Sequence, residues 1–428
     1  MPGDGESHDY TAASVSSESR TQRARSGFGD GLRRRTFLAS TTAATMASVA
    51  GCLGSEDDET IRVGLPVPTS GPPAVYGEGT IDAVEFAIET QFDGEIAGRE
   101  VETLVRDTGG DPGQAVPAAD ELITEEGADA LLGGYVSAAC LAMMDVAERE
   151  QTPFIAQATS VEITGGNCNR YTFQHSPNSR QNAASVLAAY EEGVFETLHI
   201  HHADLAGERD MADATEAVLE EAGGEVVERT EFPPDSEDFS TGISQARDSG
   251  ADAIFVITHP GGVLAFLPQA IEAGLKEEME FLFPMVSLQV AEGAGAEAIA
   301  DVYGSNFFYW RDEDVREFSD QYRDEVGHPP RWWEAGSYEG AMELLSAIDR
   351  EDGSTDPDAI ISQLEGREFD WLTPATWREC DHLTIKDMYL LRGNGPDERA
   401  EEDDAFEIAG TMSADVATLP CDEKACDR

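Results

Sequence analysis

The chain has 428 residues, which at roughly 100 to 200 residues per domain is enough for two or three domains, each with its own core. Its 85 Asp and Glu against 28 Lys and Arg give a formal charge of −57, a field that repels anionic lipid surfaces and excludes nucleic acid as a partner. Lysine occurs only at Lys276, Lys386 and Lys424, so arginine supplies nearly all the positive charge. In molar salt the Debye length falls to about 3 Å, which screens acidic self-repulsion; the balance reads as an extreme halophile, an archaeal one.

The first 59 residues read as processing signals. Met1 to Gly31 is rich in Ser, Arg and Gly and has no apolar period. Arg34 and Arg35, followed by Thr36, Phe37 and Leu38, form a twin-arginine pattern ahead of a small apolar stretch from Ala39 to Ala50. That stretch is too short to span a bilayer comfortably. Val49, Ala50, Gly51 and Cys52 make a lipobox whose cysteine thiol accepts lipid, and Ser55 to Glu59 is an acidic tether. The expected division is residues 1–51 as a twin-arginine lipoprotein signal and 52–59 as tether. Lipidated at Cys52, the protein would sit on the extracellular face of the cytoplasmic membrane.

From Ile61 the chain alternates between strand-like and helix-like runs, the pattern of α/β units with parallel sheets. Ile61 to Leu65, Glu100 to Arg106, Ala128 to Leu132 and Pro153 to Ala156 read as strands; Thr80 to Gln91, Pro112 to Glu125 and Leu141 to Glu150 read as helices. After a polar break at Ser176 to Arg180 the pattern restarts. Strands at Thr197 to His201, Glu225 to Arg229, Ala253 to Ile257 and Phe281 to Phe283 alternate with helices at Met211 to Ala222, Thr241 to Ser249 and Val263 to Ala273. Later helices are expected at Tyr338 to Asp349 and Pro357 to Gly366, with strand character from Thr376 to Arg392. The fold class is therefore α/β, two doubly wound Rossmann-like lobes joined by a three-crossing hinge: 60–176 with 310–370 as lobe one, 180–306 with 375–428 as lobe two.

The motifs of common α/β chemistry are missing. Gly64 to Gly71 contains no Gly-Lys-Ser/Thr, no strand leads into Gly-x-Gly-x-x-Gly, and there is no Gly-x-Ser-x-Gly or His-Glu-x-x-His. No enzyme activity, cofactor or metal is expected. His199 and His201 share a face by strand alternation, with His202 beside them, yet the pattern places no further ligand there, so a packed or solvent-facing strand end is the reading. Of the five cysteines after Cys52, Cys421 and Cys426 are close enough in sequence to bridge, but Cys168 and Cys380 are equally good partners for either; Cys140 lies in an apolar helical run and reads as a buried free thiol.

Three stretches, VGLPVPTSGPPAVYG from Val63, DTGGDPGQA from Asp107 and DFSTGISQARDSGADAIFV from Asp238, make the chain resemble the type I periplasmic binding proteins of branched-chain amino acid and amide importers over roughly residues 60 to 395. The resemblance implies a small-molecule ligand held between the lobes, delivered to ABC permease and ATPase subunits. A sensor of the same fold, for an amide, urea or an aromatic acid, is the alternative it allows. It also implies the ligand-binding residues. In lobe one these are Tyr76, Tyr135 and Ser137 of the loop from Gly133, and Ala158, Thr159 and Ser160. In lobe two they are Thr258, His259 and Met285. Met285 stands where amino-acid-binding members carry the carboxylate for the ligand's ammonium, and Ala206, in the loop from Asp204 to Glu208, replaces a family tyrosine.

Overall fold

A computed structural model describes residues 60–421 apart from Pro72 and Asp235, together with Cys426. The expectations for the signal, for Cys52 and for the tether concern residues outside that set.

In the first lobe, β1 (Thr60–Val67) leads into α1 (Ala74–Gln91), a short β2 (Glu95–Ile96) and β3 (Arg99–Asp107). Asp111 then caps α2 (Pro112–Thr124) by accepting from the Gln114 amide at 3.2 Å, with Pro112 in the first turn where no amide is needed. Next come β4 (Ala130–Gly133), α3 (Ser137–Glu150), β5 (Phe154–Ala156) and β6 (Thr172–Gln174). The sheet order is β2-β3-β1-β4-β5-β6, parallel except for the β2–β3 pair. Both faces of this parallel sheet are covered, so β4 and β5 read as unbroken apolar runs and are fully buried.

The second lobe begins with α4 (Ala183–Glu191), then β7 (Thr197–Ala203), α5 (Ala206–Ala222), β8 (Glu225–Phe232), α6 (Ser240–Ser249), β9 (Ala253–Ile257), α7 (Pro260–Glu272) and β10 (Glu280–Phe283). Short helices α8 (Leu288–Ala294) and α9 (Ala296–Ile299) precede β11 (Val302–Asn306). The chain returns to the first lobe with α10 (Arg316–Val326), α11 (Trp332–Arg350) and α12 (Pro357–Leu364), then completes the second sheet with β12 (Glu368–Asp370), β13 (Pro374–Trp377), β14 (Thr384–Gly393) and β15 (Phe406–Ser413). That sheet runs β12-β13-β14-β11-β10-β9-β7-β8, with β15 on β14. Strands β8, β7, β9, β10 and β11 are mutually parallel, while β12 to β15 are antiparallel additions.

The chain therefore passes between the sheets after β6, after β11 and after α12. These passages are tightly held. The Gln174 amide donates to the His382 carbonyl at 2.9 Å, which ties β6 to the approach to β14. Beside it lies a buried charge cluster. Lys386 Nζ donates to Glu339 Oε2 at 2.8 Å and lies 3.4 Å from His175 Nε2 and 4.6 Å from the Phe307 ring centre. One turn further along α11, the Glu343 carboxylate accepts from Arg367, Trp371 and Trp377.

The structure bears out some of the sequence expectations and refines or corrects others. The polar break Ser176 to Arg180 is largely buried: Ser176, Asn178 and Ser179 are out of solvent, and Asn178 and Gln181 exchange hydrogen bonds through their side chains. Thr376 to Arg392 is two strands, because the turn from Arg378 to Leu383 closes on itself through backbone bonds. Ala206 is in no loop; it opens α5. His199, His201 and His202 are packed, none facing solvent. Of the bridges left open, the structure forms Cys168–Cys426 and Cys380–Cys421, and Cys140 is free and buried.

Candidate functional site

In a doubly wound sheet the ligand crevice lies at the carboxyl ends of the strands, where neighbouring strands send their connections to opposite sides. In the first sheet β1 connects through α1 to β3 on one flank, while β4 connects through α3 to β5 on the other. The crevice thus opens between residues 68–76 and the loop Gly133 to Ser137. In the second sheet the same reversal falls between β7 and β9, bringing the start of α5 alongside Thr258 and His259.

Lobe one builds its crevice from close backbone packing and aromatic rings. Gly77 lies so near Pro68 that a Cβ there would stand 1.9 Å from the Pro68 carbonyl oxygen, and this contact sets the first turn of α1 over the end of β1. Tyr76, next to it, stacks on Tyr135 with ring centres 5.3 Å apart and planes 9° apart. Trp332, at the start of α11, tilts against both at 6.0 and 6.3 Å. All three rings remain partly exposed. The Tyr135 hydroxyl is committed elsewhere: it donates to the Trp333 carbonyl at 2.6 Å and lies 2.8 Å from Ser337 Oγ, so the residue offers a ligand its face and not a proton. Burial raises both tyrosine pKa values.

Gly134 holds φ near +76° just before Tyr135, a conformation open to glycine without penalty, and the chain then turns into α3. Val136 is the residue before α3 and no side chain caps that end, so the amides of Ser137, Ala138 and Ala139 keep their donors for water or an anion. Ser137 is not spent as a cap. Ser160 is: its oxygen accepts from the Glu162 amide at 3.2 Å, which leaves its proton free to be donated. Ala158 is buried and its carbonyl accepts from Gln174, while the Thr159 carbonyl accepts from both the amide and the hydroxyl of Ser179.

In lobe two, Thr258 is buried and its hydroxyl has no hydrogen-bond partner. His259 is exposed and caps α7, with Nδ1 accepting from the Gly262 amide at 3.2 Å, so the ring's proton is on Nε2 and faces outward as a donor. Met285 takes a positive φ of 47°, unusual for a side-chain-bearing residue, and its amide donates to Ser305 Oγ at 2.9 Å.

Tyr76 and Tyr135 are thus brought into ring contact, and the loop of Ala158, Thr159 and Ser160 borders the same edge of the sheet. Thr258, His259 and Met285 stand on the other lobe, and no hydrogen bond joins them to the lobe one set among the described residues. Trp332 was missed by the sequence reading, although the pair Trp332–Trp333 after His328 and two prolines was a visible signal. It also shares a hollow of about 20 Å³ with Val286, Ser287 and Leu288 of the other lobe. Two larger surface hollows, of about 630 and 640 Å³, are lined by β12 to β14 and by Tyr309, Arg311 and Asp404; they border the antiparallel additions and contain none of the expected residues.

Two doubly wound sheets, each with a crevice at its reversal point, joined by three chain passages, have the architecture of a two-lobed solute-binding protein of the type I class. The periplasmic binding protein family model matches residues 60–399, and the chain belongs to that family. It is 26% identical over 364 residues to Leu/Ile/Val-binding protein homolog 6 of Brucella melitensis biotype 1, covering 82% of this chain and 91% of that protein. Among solved structures, a branched chain amino acid ABC transporter periplasmic ligand-binding protein from Burkholderia xenovorans LB400 has a TM-score of 0.80 at 26% identity, covering 86% of this chain and 99% of that one. A periplasmic binding protein from Burkholderia mallei has a TM-score of 0.76 at 25% identity, with 86% and 98% covered.

Proposed function

We propose that the protein is the extracellular solute-binding component of an ABC importer, catalysing no reaction and handing a small organic solute to its permease and ATPase. The observation that carries this is the pair of crevices, one per lobe, each at the reversal point of its sheet, in a chain of a family whose relatives are named as transport binding proteins. Those relatives do not favour a sensor. Lobe one is 60–176 with 310–370 and lobe two 180–306 with 375–428, and the solute docks on the first before the second closes. Its apolar body lies against Tyr76, Tyr135 and Trp332. Its polar end meets the amides and hydroxyl of Ser137 and the hydroxyl of Ser160, and Thr258 and His259 close over it. Closure needs contacts made by both lobes, since a ligand touching only one could not shift the open and closed populations.

Met285 supplies no counter-charge, so a solute lacking an ammonium group binds at least as well as the matching amino acid. Among the described residues no helix is long and apolar enough to cross a membrane; attachment comes from lipid on Cys52, after twin-arginine export, in a halophile's extracellular space. The test is thermal shift followed by calorimetry in molar salt with leucine, valine, 4-methylvalerate and small amides. A saturable one-to-one ligand should raise the melting temperature. Ser137→Ala should weaken its binding several-fold, as one lost hydrogen bond is worth about 0.5 to 1.5 kcal/mol. Turnover of any probe, or binding unchanged by both Ser137→Ala and Trp332→Ala, would sink the reading.

A further inference from the structure

Arg180 occupies the first passage between the lobes. Its neighbour Ser179 is bonded to lobe one, where Thr159 O accepts from its amide at 2.8 Å and its hydroxyl at 3.1 Å. The same Ser179 hydroxyl touches lobe two, since a Cβ on Gly207 in the first turn of α5 would stand 3.1 Å from it. Arg180 therefore sits where the Thr159–Ser160 loop and the start of α5 come together, beside the expected ligand residues and within the first chain passage between the lobes.

Its side chain is left open. The Nε atom is buried and has no hydrogen-bond partner, and among the described residues the guanidinium makes no hydrogen bond or ion pair. Other arginines here are engaged: Arg209 with Asp204, Arg229 with Asp213, Arg311 with Asp404 and Arg392 with Asp301. In a chain with 85 acidic and 28 basic residues, most described arginines pair with a carboxylate, and Arg316, Arg350 and Arg399, which do not, donate to carbonyl or amide oxygens, whereas Arg180 does neither. Burial raises the Asp210 carboxyl pKa, the Arg180 charge opposing it and the charges of Asp213 and of Glu162 of lobe one adding to it, yet neither Asp210 nor Glu162 closes to ion-pair distance of Arg180. A buried donor without an acceptor costs stability in the empty protein, and the planar fork of a guanidinium matches a carboxylate in two parallel bonds.

We infer that Arg180 is the anchor for a carboxylate on the solute, which enters between the Thr159–Ser160 loop and α5 and supplies the acceptor that the empty site lacks. This rests on the solute-binding reading above and narrows it to anionic solutes with an apolar body. It also accounts for the place of the arginine: a bound carboxylate there touches both lobes and so favours the closed form.

The experiment is calorimetry in molar salt with two matched pairs, 4-methylvalerate with 4-methylvaleramide and benzoate with benzamide. Wild type should bind the acid of at least one pair about tenfold to a hundredfold more tightly than its amide. Arg180→Gln should erase that preference while leaving the amide's affinity close to wild type, and Arg180→Lys, which keeps the charge but not the fork, should retain part of it. An unchanged acid preference in Arg180→Gln overturns the anchor. So does an equal loss for acid and amide in both Arg180→Gln and Asp210→Asn, the result expected if Arg180 merely latches the lobes onto Asp210. Equal binding of acid and amide by wild type overturns the anchor alone; binding of neither member of either pair overturns it together with the solute-binding reading beneath.

Discussion

At the scale of single residues, the three histidines of β7 show how a chemically suggestive cluster can be a packing device. His199 Nε2 and His201 Nδ1 lie 2.9 and 2.8 Å from the same Thr230 hydroxyl, and His202 Nε2 accepts from Arg229 Nε on the other face. Burial, and after it the charges of His199 and His202, hold the His201 pKa down at about 4 against an ordinary 6.5. Between those values the unfolded chain binds more protons than the folded one. Stability from this residue is therefore complete above 6.5 and is lost as pH falls toward about 4, by about 1.4 kcal/mol per pH unit. His201→Gln, with no proton to take up, should lose less stability than wild type between about pH 7 and about pH 5 in denaturant titrations. Equal losses would show that the imidazole is not held neutral. The same scale explains why Arg180 was not legible: a polar stretch at a passage between domains has the composition of a solvated linker, and only the bonds of Ser179 and Asn178 reveal that it is buried.

At the scale of elements, helices facing the crevice begin earlier than apolar periodicity suggests. The period starts near Thr80, Leu141, Met211 and Val263, while the helices open at Ala74, Ser137, Ala206 and Pro260. Each of these first turns lies N-terminal to the apolar stripe that packs on the sheet, so the hydrophobic period starts one turn or more after the helix does. Helix α4 was missed for the opposite reason, since every residue from Ala183 to Ala189 is buried and no face is polar. Strand β9 was read to the residue because a central parallel strand is one apolar run. The first turn of α1 carries a sharp prediction. Gly77→Ala places a methyl 1.9 Å from the Pro68 carbonyl oxygen, and backbone atoms have to separate to admit it. Overpacking of this kind costs typically about 1 to 3 kcal/mol. The variant should unfold at lower denaturant and bind solute more weakly, because Tyr76 moves with the turn; a wild-type midpoint would mean that the helix start is loosely held.

At the scale of the whole molecule, the two lobes share a buried ion pair instead of a continuous sheet. Glu339 belongs to α11, which packs on α1 of lobe one, and Lys386 belongs to β14 of the second sheet; His175, at the end of β6, completes the contact, and all three side chains are essentially removed from solvent. Burial and the neighbouring Lys386 charge hold His175 well below its ordinary pKa, so it stays neutral beside the pair. In a protein whose charges are overwhelmingly acidic, exposed pairs are screened by added salt, whereas this one lies beyond the reach of that screening. Removing one partner from a buried pair leaves the other charge uncompensated and costs about 3 to 5 kcal/mol, while replacing both with apolar groups of similar volume is often close to neutral. Lys386→Met should therefore destabilise the protein by about that amount, and the double variant Lys386→Met with Glu339→Met should recover most of the loss. The denaturant midpoints should keep this order in low and in molar salt. A single variant rescued by salt would place the pair within reach of solvent ions, and a double variant as unstable as the single would mean that Lys386 acts through its packing on Phe307 and not through its charge.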